Sequence, residues 1–101
     1  EPYRRQRQMC IETGFYLGET FFAEGEYTQA IDFYHWAYTH GYKYDYKTNL
    51  KLGICYEKLD DIKLSKYHYK NAIKINPSSV EANARLQGID SVNVNYQQNF
   101  N

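Results

Sequence analysis

The stretch Leu17–Ala37, LGETFFAEGEYTQAIDFYHWA, is followed by a second copy of its chemistry in Leu52–Ala72, LGICYEKLDDIKLSKYHYKNA. The offset is constant at 35 residues: Leu17 returns as Leu52, Gly18 as Gly53, Phe21 as Tyr56, Tyr27 as Ile62, Ala30 as Ser65, Tyr34 as Tyr69 and Ala37 as Ala72. Large and small side chains that recur together at one spacing mark two copies of a single structural unit.

Upstream, Met9, Ile11, Phe15, Leu17, Phe21 and Phe22 stand mostly at helical intervals with no internal proline, which predicts a long helix from near Pro2 to Ala23. Gly14 and Gly18 would each cost about 1 kcal/mol relative to Ala inside that helix. Close approach of a partner helix accounts for Gly18; Gly14 has no such account. Glu24-Gly25-Glu26 reads as a turn, because Gly25 can take the left-handed conformation that ends a helix. A second helix is expected from about Tyr27 to His40, with Tyr27, Ala30, Ile31, Tyr34, Ala37 and Tyr38 on its buried stripe, stopped by Gly41. A third, from about Tyr46 to Leu59, carries Leu50, Leu52, Cys55, Tyr56 and Leu59 inward. A fourth, from about Ile62 to Ile75, is closed by Asn76-Pro77, since proline forbids continuation. Ser78 or Ser79 then caps a fifth helix from about Val80 to Ser91.

A Leu-Gly pair, an aromatic three residues after the glycine, a turn before Tyr27, a small residue at Ala30, an aromatic at Tyr34 and an alanine at Ala37 together resemble the tetratricopeptide repeat. The resemblance covers roughly Ile11 to Leu86, and Asn76-Pro77 matches the family's closing dipeptide. It implies an all-α, right-handed superhelical array of antiparallel helix hairpins, an α-solenoid of about five helices. The repeats fall at about 11–45 and 46–79, a capping helix covers about 80–91, and 92–101 is a polar tail expected to be flexible. Within that tail Val92, Val94 and Tyr96 alternate and could extend a partner's sheet edge. Tyr42 stands where the first unit's proline belongs, Asp60 replaces glycine, Ser65 replaces alanine, and Gln87 replaces the glycine of a third unit.

The resemblance also implies a function: a non-catalytic interaction or scaffold module holding a peptide, a helix or a folded protein. The inner face of such an array is built by the first helix of each pair. Its candidates are Glu12, Phe15, Tyr16, Glu19 and Phe22 on the first helix, Lys47, Leu50, Lys51, Ile54, Glu57 and Lys58 on the third, and Glu81 and Arg85 on the cap. The competing expectation is that Phe15, Leu50 and Ile54 only touch one another between helices. Family members that clamp a terminal carboxylate place Lys, Asn and Arg where this chain has Phe15, Glu19, Lys51, Glu81 and Arg85. Only Arg85 agrees, and two acids there would repel such a ligand. Trp36, Tyr42 and Tyr44 form a candidate outer aromatic patch, with Trp36 either an interface anchor or packed beneath the Tyr42–Tyr46 link. Self-association through apolar array ends is the alternative function.

Composition bounds the rest. One domain fits the 101 residues, and 12 basic against 12 acidic residues remove the electrostatic argument for nucleic acid. No apolar run approaches the roughly 18 residues of a membrane span. The chain begins at Glu1 without an initiator Met, the expectation for a segment of a longer protein in which a leader or anchor could precede it. Cys10 and Cys55 lie too far apart along stacked helices to bond, and free thiols favour a reducing, cytoplasmic setting. His35, His40 and His68 form no i, i+4 pair and no Cys-x-x-Cys occurs, so neither a metal nor a cofactor is expected. Asp32 and His35 share a helix face without a nucleophile in defined relation to them, so no catalytic set is expected. Arg4, Arg5 and Arg7 read as a wet basic helix surface.

Overall fold

Gly18 and Gly53 set the geometry of the fold, because an aromatic ring lies where a side chain on either would begin. In the computed structural model, which describes residues 2–100 and the side chains of 11–91, α1 (Pro2–Ala23) and α2 (Tyr27–Ala37) form one hairpin. A second hairpin consists of α3 (Tyr46–Lys58) and α4 (Ile62–Ile75), and α5 (Val80–Phe100) packs on α4. Contact of α2 with α3 stacks the hairpins, and among the described residues there is no strand. The fold is the expected all-α array of antiparallel helix hairpins.

A Cβ built on Gly18 would meet the Tyr34 ring at 2.8 Å, and one on Gly53 would meet the Tyr69 ring at 2.6 Å. Both rings are wholly buried. The sequence places these tyrosines between hairpins and Ala30 and Ser65 against the glycines. Ser65 does meet its glycine, its hydroxyl donating to the Gly53 carbonyl at 2.8 Å, and Tyr34 packs with Leu52 and Cys55 of the next hairpin, while the tyrosine ring of each hairpin also lies on its own glycine. Gly14 also acquires a reason: the Trp36 indole sits 3.0 Å from where its Cβ would be.

The two hairpin turns solve one problem with different residues. Gly25 has φ 78° and Asp60, its equivalent in the second unit, has φ 64°. Both are left-handed, a conformation that Asp tolerates better than most side chains. Asp61 then accepts from the Leu64 amide at 3.3 Å and caps α4.

The offset of 35 is one residue longer than the 34 of a regular unit of the resembled family, and the extra residue is absorbed after α2, which ends at Ala37 rather than near His40. A π-helical turn spans Tyr38–Tyr42, with Gly41 at φ 147°. Asp45 closes the link by accepting from the Thr48 amide at 2.9 Å and its hydroxyl at 2.8 Å. At the other end Ser79, rather than Ser78, caps α5 by accepting from the Ala82 amide at 3.2 Å, and its hydroxyl also bonds the Tyr46 hydroxyl. The α5 backbone continues to Phe100, past the expected end near Ser91. No proline follows Pro77, and propagating a formed helix is far easier than starting one. The side chains of Arg4, Arg5, Arg7, Met9, Cys10, Val92, Val94 and Tyr96, with the expectations attached to them, lie outside the described residues.

Two clusters make the core. Ala30, Tyr34, Leu52 and Cys55 join the hairpins, and Leu50, Ile54, Tyr69, Ala72, Ala82 and Ile89 join the second hairpin to α5. Cys55 is free, and burial pushes its thiol up to about 12.

A polar thread runs through the stack. Asn49 is wholly buried and its amide nitrogen donates to the Lys43 carbonyl at 3.0 Å and the Asp45 carbonyl at 2.9 Å. Its oxygen therefore faces His68 Nδ1 at 3.0 Å, so Nδ1 carries the proton of a neutral imidazole. Burial, with a smaller contribution from His35, lowers the His68 pKa to about 4.

Gly53→Ala should destabilise the chain by roughly 1–3 kcal/mol, because crowding of a fixed ring outweighs the gain in helix propensity. A urea midpoint equal to the parent's would refute the ring-on-glycine account. The depressed His68 pKa means that only the unfolded state takes up this proton between the ordinary value of 6.5 and about 4. Its contribution is fully present above pH 6.5 and is lost as pH falls towards 4, by about 3 kcal/mol in all. His68→Gln should flatten that part of the stability profile, measured by thermal melts across the window.

Candidate functional site

The face shared by α1 and α3 is organised around Glu19. Its Oε1 accepts from the Tyr34 hydroxyl at 2.5 Å, Lys47 Nζ lies 3.0 Å from Oε2 and Lys51 Nζ 3.8 Å from Oε1. Tyr34 crosses beneath α1 on Gly18, which brings its hydroxyl to the carboxylate one residue further on. Burial alone would raise the Glu19 carboxyl, but the Tyr34 hydroxyl and the two ammonium groups outweigh it and hold the group below the ordinary carboxylate value.

Two half-buried rings flank this charge cluster. Phe15 packs edge-on against Tyr34 and Tyr42, with centroids 5.8 and 5.5 Å away, and Lys47 Nζ stands 5.9 Å from its centroid. Phe22 packs edge-on against Tyr27 and Tyr34, and Lys51 Nζ lies 4.1 Å over it. Each lysine thus covers a ring and faces one carboxylate, an arrangement that keeps both side chains in place without neutralising the face completely.

The second hairpin repeats the tyrosine–carboxylate contact, with the acid about one helical turn further along. The Tyr69 hydroxyl donates to Glu57 Oε1 at 2.6 Å, and Arg85 from α5 reaches Glu81 at 3.2 Å. Burial, then the adjoining Glu57, raises the Tyr69 hydroxyl, so it stays a donor.

Other candidates fall elsewhere. Leu50 and Ile54 are only 5% and 3% exposed, since α5 packs across them through Ala82 and Ile89, and they have no surface to offer a partner. Glu12, Tyr16, Lys58 and Glu81 are exposed, with Tyr16 at 71%. The three aromatics expected on the outside do not form one patch. Trp36 is half-buried between Gly14 and His40, on which it stacks at 4.0 Å, rather than beneath the link. Tyr42 turns towards Phe15, on the α1–α3 side. Only Tyr44 projects outward, 77% exposed. What the sequence does not signal is the tyrosine–carboxylate pairing, because Glu19 and Glu57 occupy different positions within their units.

Residues 48–79, most of the α3–α4 hairpin with its closing turn, match the tetratricopeptide repeat family. The hairpin is a tetratricopeptide repeat. The α1–α2 hairpin carries the same key positions 35 residues earlier, with the same ring-on-glycine contact. No curated protein matches the chain. Repeats of this family generally mediate protein–protein interaction and are not catalytic. Among the described residues no helix is long and apolar enough to cross a membrane.

Tyr34→Phe should cost about 1–2 kcal/mol, because Glu19 loses a charge-assisted hydrogen bond that water only partly replaces. The same change should raise the Glu19 pKa, which carboxyl carbon NMR titration would follow; an unmoved titration would mean that the lysines alone hold the carboxylate.

Proposed function

We propose that this tetratricopeptide repeat segment is a non-catalytic docking module that receives a peptide or helix along the face formed by α1, α3 and α5. The observation that carries this reading is the Glu19 cluster: two half-buried aromatic rings, each overlaid by a lysine, around a carboxylate anchored by a buried tyrosine. Such a surface offers apolar area with charges of both signs, which suits an amphipathic ligand rather than a uniformly charged one. It is also preformed, since Tyr34 and Tyr69 fix the carboxylates from beneath, so little ordering cost falls on the receptor. Glu12, Tyr16, Lys58, Glu81 and Arg85 extend the face as contact residues, and the 1–91 segment is the unit that presents it. A terminal-carboxylate clamp is disfavoured, because Glu19 and Glu81 stand where cations or amides would be needed.

Panning a displayed random-peptide library against the immobilised chain tests this. Selected peptides should bind the parent and lose roughly tenfold in affinity on Lys47→Glu or Tyr16→Ser, both exposed positions. Peptides that bind the variants equally well would sink the proposed face. Failure to select any peptide, with concentration-dependent sedimentation, would instead favour self-association.

A further inference from the structure

On α4 and the link that precedes α3, away from the Glu19 cluster, a cleft of about 330 Å³ is lined by Tyr38, Lys43, Tyr44, Tyr67, Asn71, Lys74 and Ile75. None of these residues is acidic. They comprise two ammonium groups, three phenol hydroxyls and an amide, together with the aromatic and aliphatic surface on which the stem of a bound side chain can lie. Lys43, Tyr44, Tyr67, Lys74 and Ile75 are exposed along it, Tyr44 at 77% and Tyr67 at 51%. Lys43 Nζ stands 5.7 Å from the Tyr44 ring centroid.

The charge around the cleft is one-sided in a chain whose net charge is zero. Helix α4 reads IKLSKYHYKNAIKI, with four lysines and no acid. Lys66 is paired with Asp90 of α5 at 2.8 Å, which ends the cationic stripe at that side and leaves the positive charge of the lining on Lys43 and Lys74. The cluster is also built in from behind. His68 packs edge-on against Tyr38 at 5.4 Å and Tyr67 at 5.1 Å, and its Nδ1 bond to Asn49 ties it to the carbonyls of Lys43 and Asp45.

We propose that this cleft is a second binding site, specific for an acidic peptide segment of a protein partner, whose carboxylate lies between Lys43 and Lys74 against the Tyr38, Tyr44 and Tyr67 rings. The groups around the Tyr67 hydroxyl act in the same direction. The pKa of that hydroxyl is lowered first by the Tyr38 hydroxyl, then by Asn71, with Lys43 and Lys74 adding to the effect, so negative charge at that oxygen is stabilised from several sides. Two lysines at one cleft on an otherwise neutral chain give a polyphosphate backbone little hold, since nucleic-acid affinity grows with the number of phosphates neutralised. A short acidic peptide needs no more than is present. The site is independent of the α1–α3–α5 face and shares no lining residue with it.

Fluorescence anisotropy with a labelled peptide of Glu, Asp and Gly, beside its Gln and Asn counterpart, is the test. The acidic peptide should bind, and the amide peptide should not. Binding should weaken as salt rises, because the contacts are exposed to screening. Lys43→Ala/Lys74→Ala should reduce affinity roughly tenfold, and Lys47→Glu on the other face should leave it unchanged. Both lysines of the double variant are exposed, and circular dichroism checks that the fold is intact. The side-chain amide resonance of Asn71 should shift on addition of the acidic peptide. Equal binding of both peptides, unchanged affinity in the double variant, loss on Lys47→Glu instead, or tighter binding of a single-stranded oligonucleotide than of the acidic peptide would each overturn the proposal.

Discussion

A tyrosine ring packed on a glycine is the contact on which the structure depends. In each hairpin the second helix comes close to the first only because Gly18 or Gly53 has no Cβ, and the space is filled by Tyr34 or Tyr69. Ring and glycine therefore form one unit: a larger residue at the glycine would expel the ring, and a smaller residue at the tyrosine would leave a hole in a core of few layers. The same contact delivers the phenol hydroxyl to the opposite side of the helix pair, where it meets a carboxylate. Packing and surface chemistry are thus consequences of one close approach.

Much of this architecture is legible in the sequence because the repeat is written in residue sizes. The offset of 35 residues, the Leu-Gly pairs and the alternation of small and aromatic positions specify helix hairpins and their order. Partnering across helices is less legible. Spacing along one helix says which residues share a face, but not which residue of the next helix crosses there, so neither the Trp36 ring against Gly14 nor the tyrosine ring on Gly18 and Gly53 can be read from it. Leu50 and Ile54 were open to two readings for the same reason: their helix face is common to the surface and to the seam with α5, and only the position of Ala82 and Ile89 decides it.

The cationic cleft was harder still to foresee. Its lining comes from the π-helical turn after α2, the link and α4, and Tyr67 is exposed beside the buried His68. A run of lysines on α4 is visible in the sequence, yet without the link folded beside it such a run reads as an ordinary wet helix surface. The extra residue of the first unit supplies that link geometry, through a π-helical turn and a glycine at φ 147°.

The hydroxyls of Tyr34 and Tyr69 do not reach equivalent carboxylates. One meets the residue directly after its glycine, Glu19 after Gly18; the other meets the fourth, Glu57 after Gly53. That difference of about one helical turn, near 5 Å along the axis, removes the translational symmetry that two copies of a repeat would otherwise give their common surface. A ligand lying there cannot slip by one unit or reverse its direction and find its charges matched again, so the pair of repeats has a polarity that neither hairpin possesses alone.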